Sequence, residues 1–209
     1  MTLKRYQEME NSALYSANED ILAISYYGKE IGWGSIAGLS FHRILYLAKV
    51  LYVFRHAGES PLFDYYHFTA VINGPYSVQV INALVNLISR DNLAEKDDLY
   101  TFNSDKALLD YFPKQKLDWI RFVLLLLGKY GEDRIFGFII NDPAYDNAVK
   151  TNRNAELIAS TESITVKVLN RFKASFELSL DHGVVLTDEQ YIDLYFEYLF
   201  GKIIKGSRV

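Results

Sequence analysis

Hydrophobic positions recur at helical spacing along most of this chain, and short polar or glycine-bearing stretches interrupt them. Asn18–Tyr27 predicts a short helix, stopped by the glycine-rich connector Gly28–Gly38. Ser40 stands where an N-cap is wanted, and Phe41, Ile44, Leu45, Ala48, Leu51 and Tyr52 follow at helical spacing until Gly58 and Pro61. Tyr65–Ile72 is aromatic and β-branched and fits a short strand or a helix. Asn73-Gly74-Pro75 turns the chain. Ser77 then predicts the cap of a helix running to about Ser89, with Val78, Ile81, Leu84, Val85 and Ile88 as its apolar face. Leu93–Glu95 and Leu99–Phe102 flank Lys96-Asp97-Asp98, which suits a hairpin.

The second half reads as helices. One starts near Pro113 and runs to about Tyr130, where Gly131 stops it. Arg134–Ile140 adds a turn or two. Asp142-Pro143 pairs a capping residue with proline at the first helical position and opens Ala144–Lys150. Glu162–Leu180 places Ile164, Val168, Phe172, Phe176 and Leu180 on one face. Thr187-Asp188-Glu189-Gln190 fits a capping box for the last helix. The turn, cap, helix and acidic hairpin of Asn73–Phe102 follow the order of the helix and wing in a winged helix. The expected fold is therefore mainly α. A winged-helix-like half with a short β-hairpin wing, residues 1–112, packs on a helical half, residues 113–209.

With 50% hydrophobic and 23% charged residues, the 209-residue chain is rich enough in apolar surface to fold and is not of disordered type. The 16 tyrosines and 13 phenylalanines exceed what a minimal core requires and suit partner surfaces. There is no cysteine, which removes disulfides, thiolate metal sites and cysteine nucleophiles. The histidines, His42, His56, His67 and His182, show no His-x-x-x-His or His-Glu-x-x-His spacing. Gly32-Trp33-Gly34 lacks the Gly-Lys-Ser/Thr ending of a phosphate loop, and no Gly-x-Ser-x-Gly elbow occurs. Asp142 and Asp146 stand four apart, a spacing that suits magnesium, yet Asp142 is better explained as the cap before Pro143. No enzyme activity, cofactor or metal is expected. The most apolar run, Leu117–Leu127, is about half of the ~20 residues a bilayer span needs, and it contains Asp118 and Arg121. A cytoplasmic protein without membrane contact is expected.

Charge then changes what the winged-helix reading implies. The net charge of −4 lies in residues 1–112, and residues 113–209 balance. In a DNA reader, the polar face Gln79, Asn82, Asn86 and Ser89 would meet base edges, but base readers need phosphate anchors. Arg90 is the cation at the end of this helix, against Glu95, Asp97 and Asp98 in the hairpin. Gln79, Asn82 and Asn86 are therefore expected to contact a protein. The last helix is apolar nearly all round, with an acidic stripe of Glu189, Asp193 and Glu197. Its burial is expected either under the chain's own helices or in a partner's groove, with Tyr191, Tyr195, Tyr198 and Phe200 as the candidate contacts. Lys167, Arg171 and Lys173, with Lys150 and Arg153 upstream, form a basic face that suits nucleic acid only within a complex.

Two resemblances add to this reading. His42-Arg43-Ile44-Leu45-Tyr46-Leu47-Ala48-Lys49, Gly58-Glu59-Ser60-Pro61-Leu62-Phe63 and Gly74-Pro75 resemble the Panacea family over about Ser40–Asn92. Arg43-Ile44 and Asn73 depart from that family's pattern. The resemblance implies an antitoxin-like domain that neutralises a small toxin. The leucine- and tyrosine-rich helix Ile44–Phe54, the Ser77–Ser89 helix with its hairpin, and the helical second half with Lys129-Tyr130-Gly131-Glu132-Asp133-Arg134-Ile135 resemble the middle subunits of prokaryotic three-component ABC/SMC-like ATPase defence systems, including the Lamassu type. That resemblance spans most of the chain. It implies a non-catalytic accessory subunit docked to an ATPase or its effector, and ranks ahead of the antitoxin and of a DNA-binding regulator.

Overall fold

The computed structural model describes residues 3–151, 154–180 and 184–206, so Arg153 and His182 lie outside the described residues. Eight α-helices dominate these residues: α1 (Leu3–Glu30), α2 (Gly38–Arg55), α3 (Val78–Ser89), α4 (Lys114–Gly128), α5 (Ile135–Ile140), α6 (Pro143–Thr151), α7 (Ile164–Glu177) and α8 (Asp188–Ile204). Five short strands accompany them: β1 (Ile36–Ala37), β2 (Thr69–Val71), β3 (Gly74–Tyr76), β4 (Leu93–Lys96) and β5 (Leu99–Phe102). The mainly α expectation holds.

The hydrophobic α2 is the centre of the molecule. Fourteen of its residues are buried, including the polar Ser40, His42 and Lys49. Ser40 is therefore not the cap: the helix starts at Gly38, and Ala37 holds the extended N-cap position without a side-chain bond. Around α2 pack α4, α5, α7 and α8, while α1 packs on α3 and α4. One continuous buried cluster runs from Ala17 and Ile24 through Phe41–Phe54 to Val123, Phe138, Leu169 and Phe196. It draws on both halves of the sequence.

The first helix is 28 residues long, far longer than Asn18–Tyr27. Its added N-terminal turns, around Gln7-Glu8-Met9-Glu10-Asn11, carry too few apolar residues to show a helical period.

The strands form two small sheets. In one the order is β1-β5-β4, all antiparallel, with Ile36 opposite Tyr100 and Leu93 opposite Phe102. The β4–β5 loop is two residues, since Lys96 already pairs with Leu99. Asp97 and Asp98 have φ of +54° and +59°, as a tight primed turn demands. Gly38 sits under this tip, and its amide donates to the Asp98 carbonyl at 3.0 Å. A Cβ at Gly38 would meet the Asp98 carboxylate at 2.5 Å, so the absence of a side chain permits the approach. The other sheet pairs β2 with β3, resolving Tyr65–Ile72 as a strand end rather than a helix. The segment 154–157 hydrogen-bonds the free edge of β2.

Several start signals act as their chemistry requires. Thr187 and Gln190 form the capping box of α8. Asp142 accepts from the Tyr145 amide at 2.8 Å and so caps α6. The Asp142 carboxylate is buried, which raises its pKa, and Tyr46 and Thr165 hydroxyls donate to it at 2.8 and 2.7 Å. Asp146 pairs instead with Lys150 at 2.6 Å, so the two aspartates do not converge on a common site.

Candidate functional site: the outer face of helix α3

Three contacts fix the position of α3. The Ser77 amide donates to His42 Nδ1 at 3.0 Å, and Tyr76 stacks on the same imidazole with ring centres 5.1 Å apart. Burial, with Arg43 beside it, pushes the His42 pKa down to about 4, so at neutral pH the ring is an uncharged acceptor. Ser77 holds the N-cap position but makes no cap hydrogen bond. Its hydroxyl donates to the Gln79 side chain at 2.6 Å. Farther along, Asn18 of α1 donates to Asn86 at 3.0 Å.

These contacts set a rotation of α3 that differs from the sequence expectation. The buried face is Val80, Ala83, Leu84 and Leu87, at i, i+3, i+4 and i+7. Of the five residues expected there, only Leu84 is buried. Val78 and Val85 are 55% and 61% exposed, and Ile81 and Ile88 lie beside them on the surface. The helix is apolar on two faces, and α1 and β4 cover the other one. At 100° per residue, Gln79 and Asn86 fall next to the buried face, while Asn82 and Ser89 border the exposed apolar stripe. The outward surface is thus Val78, Ile81, Asn82, Val85, Ile88 and Ser89. Gln79 and Asn86, expected as contacts, are half-buried and engaged within the chain.

The surroundings of α3 carry little positive charge. Arg90 and Lys96 are exposed, as are Asp91, Glu95, Asp97 and Asp98. Such a face opposes a phosphate backbone and suits an apolar partner with basic flanks.

The last helix is placed differently. Tyr191 and Tyr195 are 2% and 6% exposed, and Phe200 is half-buried against Tyr130 at 4.7 Å. Phe196 meets Phe138 at a tilt, with ring centres 4.8 Å apart. The chain's own helices α5 and α7 therefore cover α8, and Tyr198, at 46% exposure, is the sole candidate of that set on the surface. Even Tyr198 meets Phe172 on one side and Lys202 over its ring.

The basic face of α7 is also largely engaged. Lys167 pairs with Glu162 at 2.9 Å, and Lys173 pairs with Asp188 at 2.7 Å while lying over Tyr191. Arg171 is exposed. Upstream, Lys150 is held by Asp146.

Sequence reading missed a buried polar cluster beneath α3's support helix. Asp20 of α1 is fully buried and accepts from the Tyr65 hydroxyl and from that of Tyr66, the latter at 3.1 Å. Lys116 lies 3.2 Å from Glu19 and 3.3 Å from Asp20, the second contact without an aligned hydrogen bond. Burial raises the Asp20 pKa to about 6, and Lys116 and the two phenols hold it from going higher. The partners are separated by 45 to 97 residues in sequence, so no local pattern announces them. The cluster ties α1 to α4 and to the segment before β2.

Among the described residues, no three or more His, Asp or Glu side chains gather to hold a metal ion. No described helix is long and apolar enough to cross a membrane. Comparison of the chain with models of known families, with curated proteins and with solved structures gave no match.

Proposed function

We propose that this chain is a non-catalytic adaptor that docks a protein partner through the outer face of α3. The observation that carries the reading is the exposed apolar stripe Val78, Ile81, Val85 and Ile88, on a helix already anchored on its opposite face. A contiguous apolar surface of this kind marks a contact site when it lies on a rigid element. The order α1, β1, α2, β2, β3, α3, β4, β5, with β1-β5-β4 forming one sheet beside α3, supports naming residues 1–112 a winged-helix-like unit. In that unit α3 is the helix that DNA readers place in the major groove. Here its outward residues are valine and isoleucine, and the hairpin beside it is acidic, which favours protein over DNA.

The resemblance to middle subunits of three-component ATPase defence systems makes the ATPase or its effector the proposed partner. The antitoxin reading shares the docking surface and differs in having a small toxin as the partner. Co-expression with a neighbouring ATPase gene product tests the proposal. The wild-type chain is expected to co-purify with it, and Val78→Glu/Val85→Lys is expected to lose at least about 90% of the bound partner while keeping its fold. Unchanged co-purification of that variant overturns the docking surface. Salt-sensitive binding of duplex DNA by the isolated chain would favour the regulator instead.

A further inference from the structure

A cleft of about 410 Å³ opens between the C-terminal part of α1, the 3-10 turn Lys106–Tyr111 and the start of α4. It lies apart from the outer face of α3. The floor is apolar and aromatic, formed by Tyr27, Leu109 and Phe112. Three cations, Lys106, Lys114 and Arg121, stand around it. Among the described residues none of the three forms an ion pair within 4.0 Å, although Tyr26, with Glu30 and Asp110 farther off, raises the Lys106 pKa. Lys106 lies 5.4 Å from the centre of the Tyr26 ring, which itself meets Tyr27 edge-on at 5.3 Å. Lys114 is the first residue of α4, and the cap residue Pro113 provides no side-chain hydrogen bond to that helix end. Glu30 and Asp110 complete the rim.

Each part of this lining selects against a simpler ligand. An inorganic anion has no use for an aromatic floor. A neutral ring has no use for three cations. A long polyanion needs a continuous basic track, and the two carboxylates of the rim interrupt one. The volume suits a small organic molecule. The geometry points to a binding site for a nucleoside monophosphate. Its phosphate meets Lys106, Lys114 and Arg121, its base lies on Tyr27 and Phe112, and Glu30 or Asp110 accepts from a ribose hydroxyl or an exocyclic amine.

Isothermal titration of the full chain with AMP, GMP, CMP and UMP tests this, with adenosine, guanosine and inorganic phosphate as partial ligands. At least one monophosphate is expected to bind with Kd below about 1 mM. Its nucleoside and phosphate are each expected to bind at least about tenfold more weakly. Lys106→Ala/Arg121→Ala removes two exposed side chains and is expected to weaken the monophosphate at least about tenfold while the melting temperature is kept. Phe112→Leu, which retains the packing but removes the ring, is expected to weaken the nucleotide and leave phosphate unaffected. The proposal is overturned by no monophosphate binding below about 1 mM, by phosphate binding as tightly as the nucleotide, or by unchanged nucleotide affinity in the double cation variant.

Discussion

Helices α3 and α8 both offer candidate partner contacts in sequence, and the structure treats the two differently. The last helix is apolar nearly all round, so its cover is expected either from the chain's own helices or from a partner's groove. It is buried under α5 and α7, with Phe196 and Leu199 in the core. Helix α3 shows a polar stripe, Gln79, Asn82 and Asn86, that is expected to meet a protein. In the structure it turns a second apolar face outward instead. An all-apolar helix must find cover, and when the fold supplies it nothing is left for a partner. A helix with two apolar faces can satisfy only one against a small domain. The other remains available.

The largest effect that tests this contrast comes from truncating α8. Phe196→Ala removes a fully buried ring and is expected to destabilise by about 3–5 kcal/mol, measured by denaturant unfolding. Deletion of α8 is for the same reason expected to unfold the chain rather than leave a folded, binding-deficient protein. A loss under about 1 kcal/mol for Phe196→Ala would place α8 outside the core and return it to the partner-binding candidates.

The next effect concerns the support of α3 and depends on pH. The Asp20 pKa is raised to about 6, so its stabilising contribution is full below the unfolded value near 3.8 and is lost as pH rises through 6. The His42 pKa is lowered to about 4, so its contribution is full above the unfolded value near 6.5 and is lost as pH falls through 4. The two contributions run in opposite directions, so between pH 4 and 6.5 they oppose each other in the wild-type chain. His42→Asn keeps an acceptor for the Ser77 amide and removes one titration. Its stability is expected to fall as pH rises from 4 to 6.5. Asp20→Asn leaves the histidine alone, and its stability is expected to rise over the same range. Urea midpoints across that range read both slopes, and parallel profiles in the two variants would refute the assignment.

A smaller change separates local capping from packing. Thr187→Ala breaks the capping box of α8 and is expected to destabilise by about 1 kcal/mol in thermal unfolding. The smallest effect is on α3. Val78→Glu and Val85→Lys are each expected to alter stability by no more than about 0.5 kcal/mol, because neither side chain is packed in the core. A loss of more than about 2 kcal/mol for Val85→Lys would mean that the stripe is covered by the chain itself.

What the sequence revealed was mostly local. The Thr187–Gln190 box, the Asp142-Pro143 start and the hairpin of β4 and β5 each rest on residues within a few positions of one another, so their chemistry is visible as a string. The boundary of α1 was not legible because its first turns are polar. The rotation of α3 was not legible either. Val78-Ile81-Val85-Ile88 and Val80-Ala83-Leu84-Leu87 are both acceptable core faces, and the choice is made by distant groups. His42 holds the Ser77 amide from α2, and Asn18 holds Asn86 from α1. The Asp20, Tyr65, Tyr66 and Lys116 cluster joins three separate stretches and leaves no pattern in any of them. Of the candidate contacts, Asn82 and Tyr198 are on the surface, whereas Gln79, Asn86, Tyr191, Tyr195 and Phe200 are partly or fully taken up by the fold.

Site-specific photo-crosslinking with the proposed ATPase partner, co-expressed with the chain, tests the central claim most directly. A photoreactive residue is placed at position 85 on α3 or at position 198 on α8, two exposed sites on the helices compared above. The account predicts crosslinks to the partner from position 85 and none from position 198. Crosslinks from position 198 alone would contradict it.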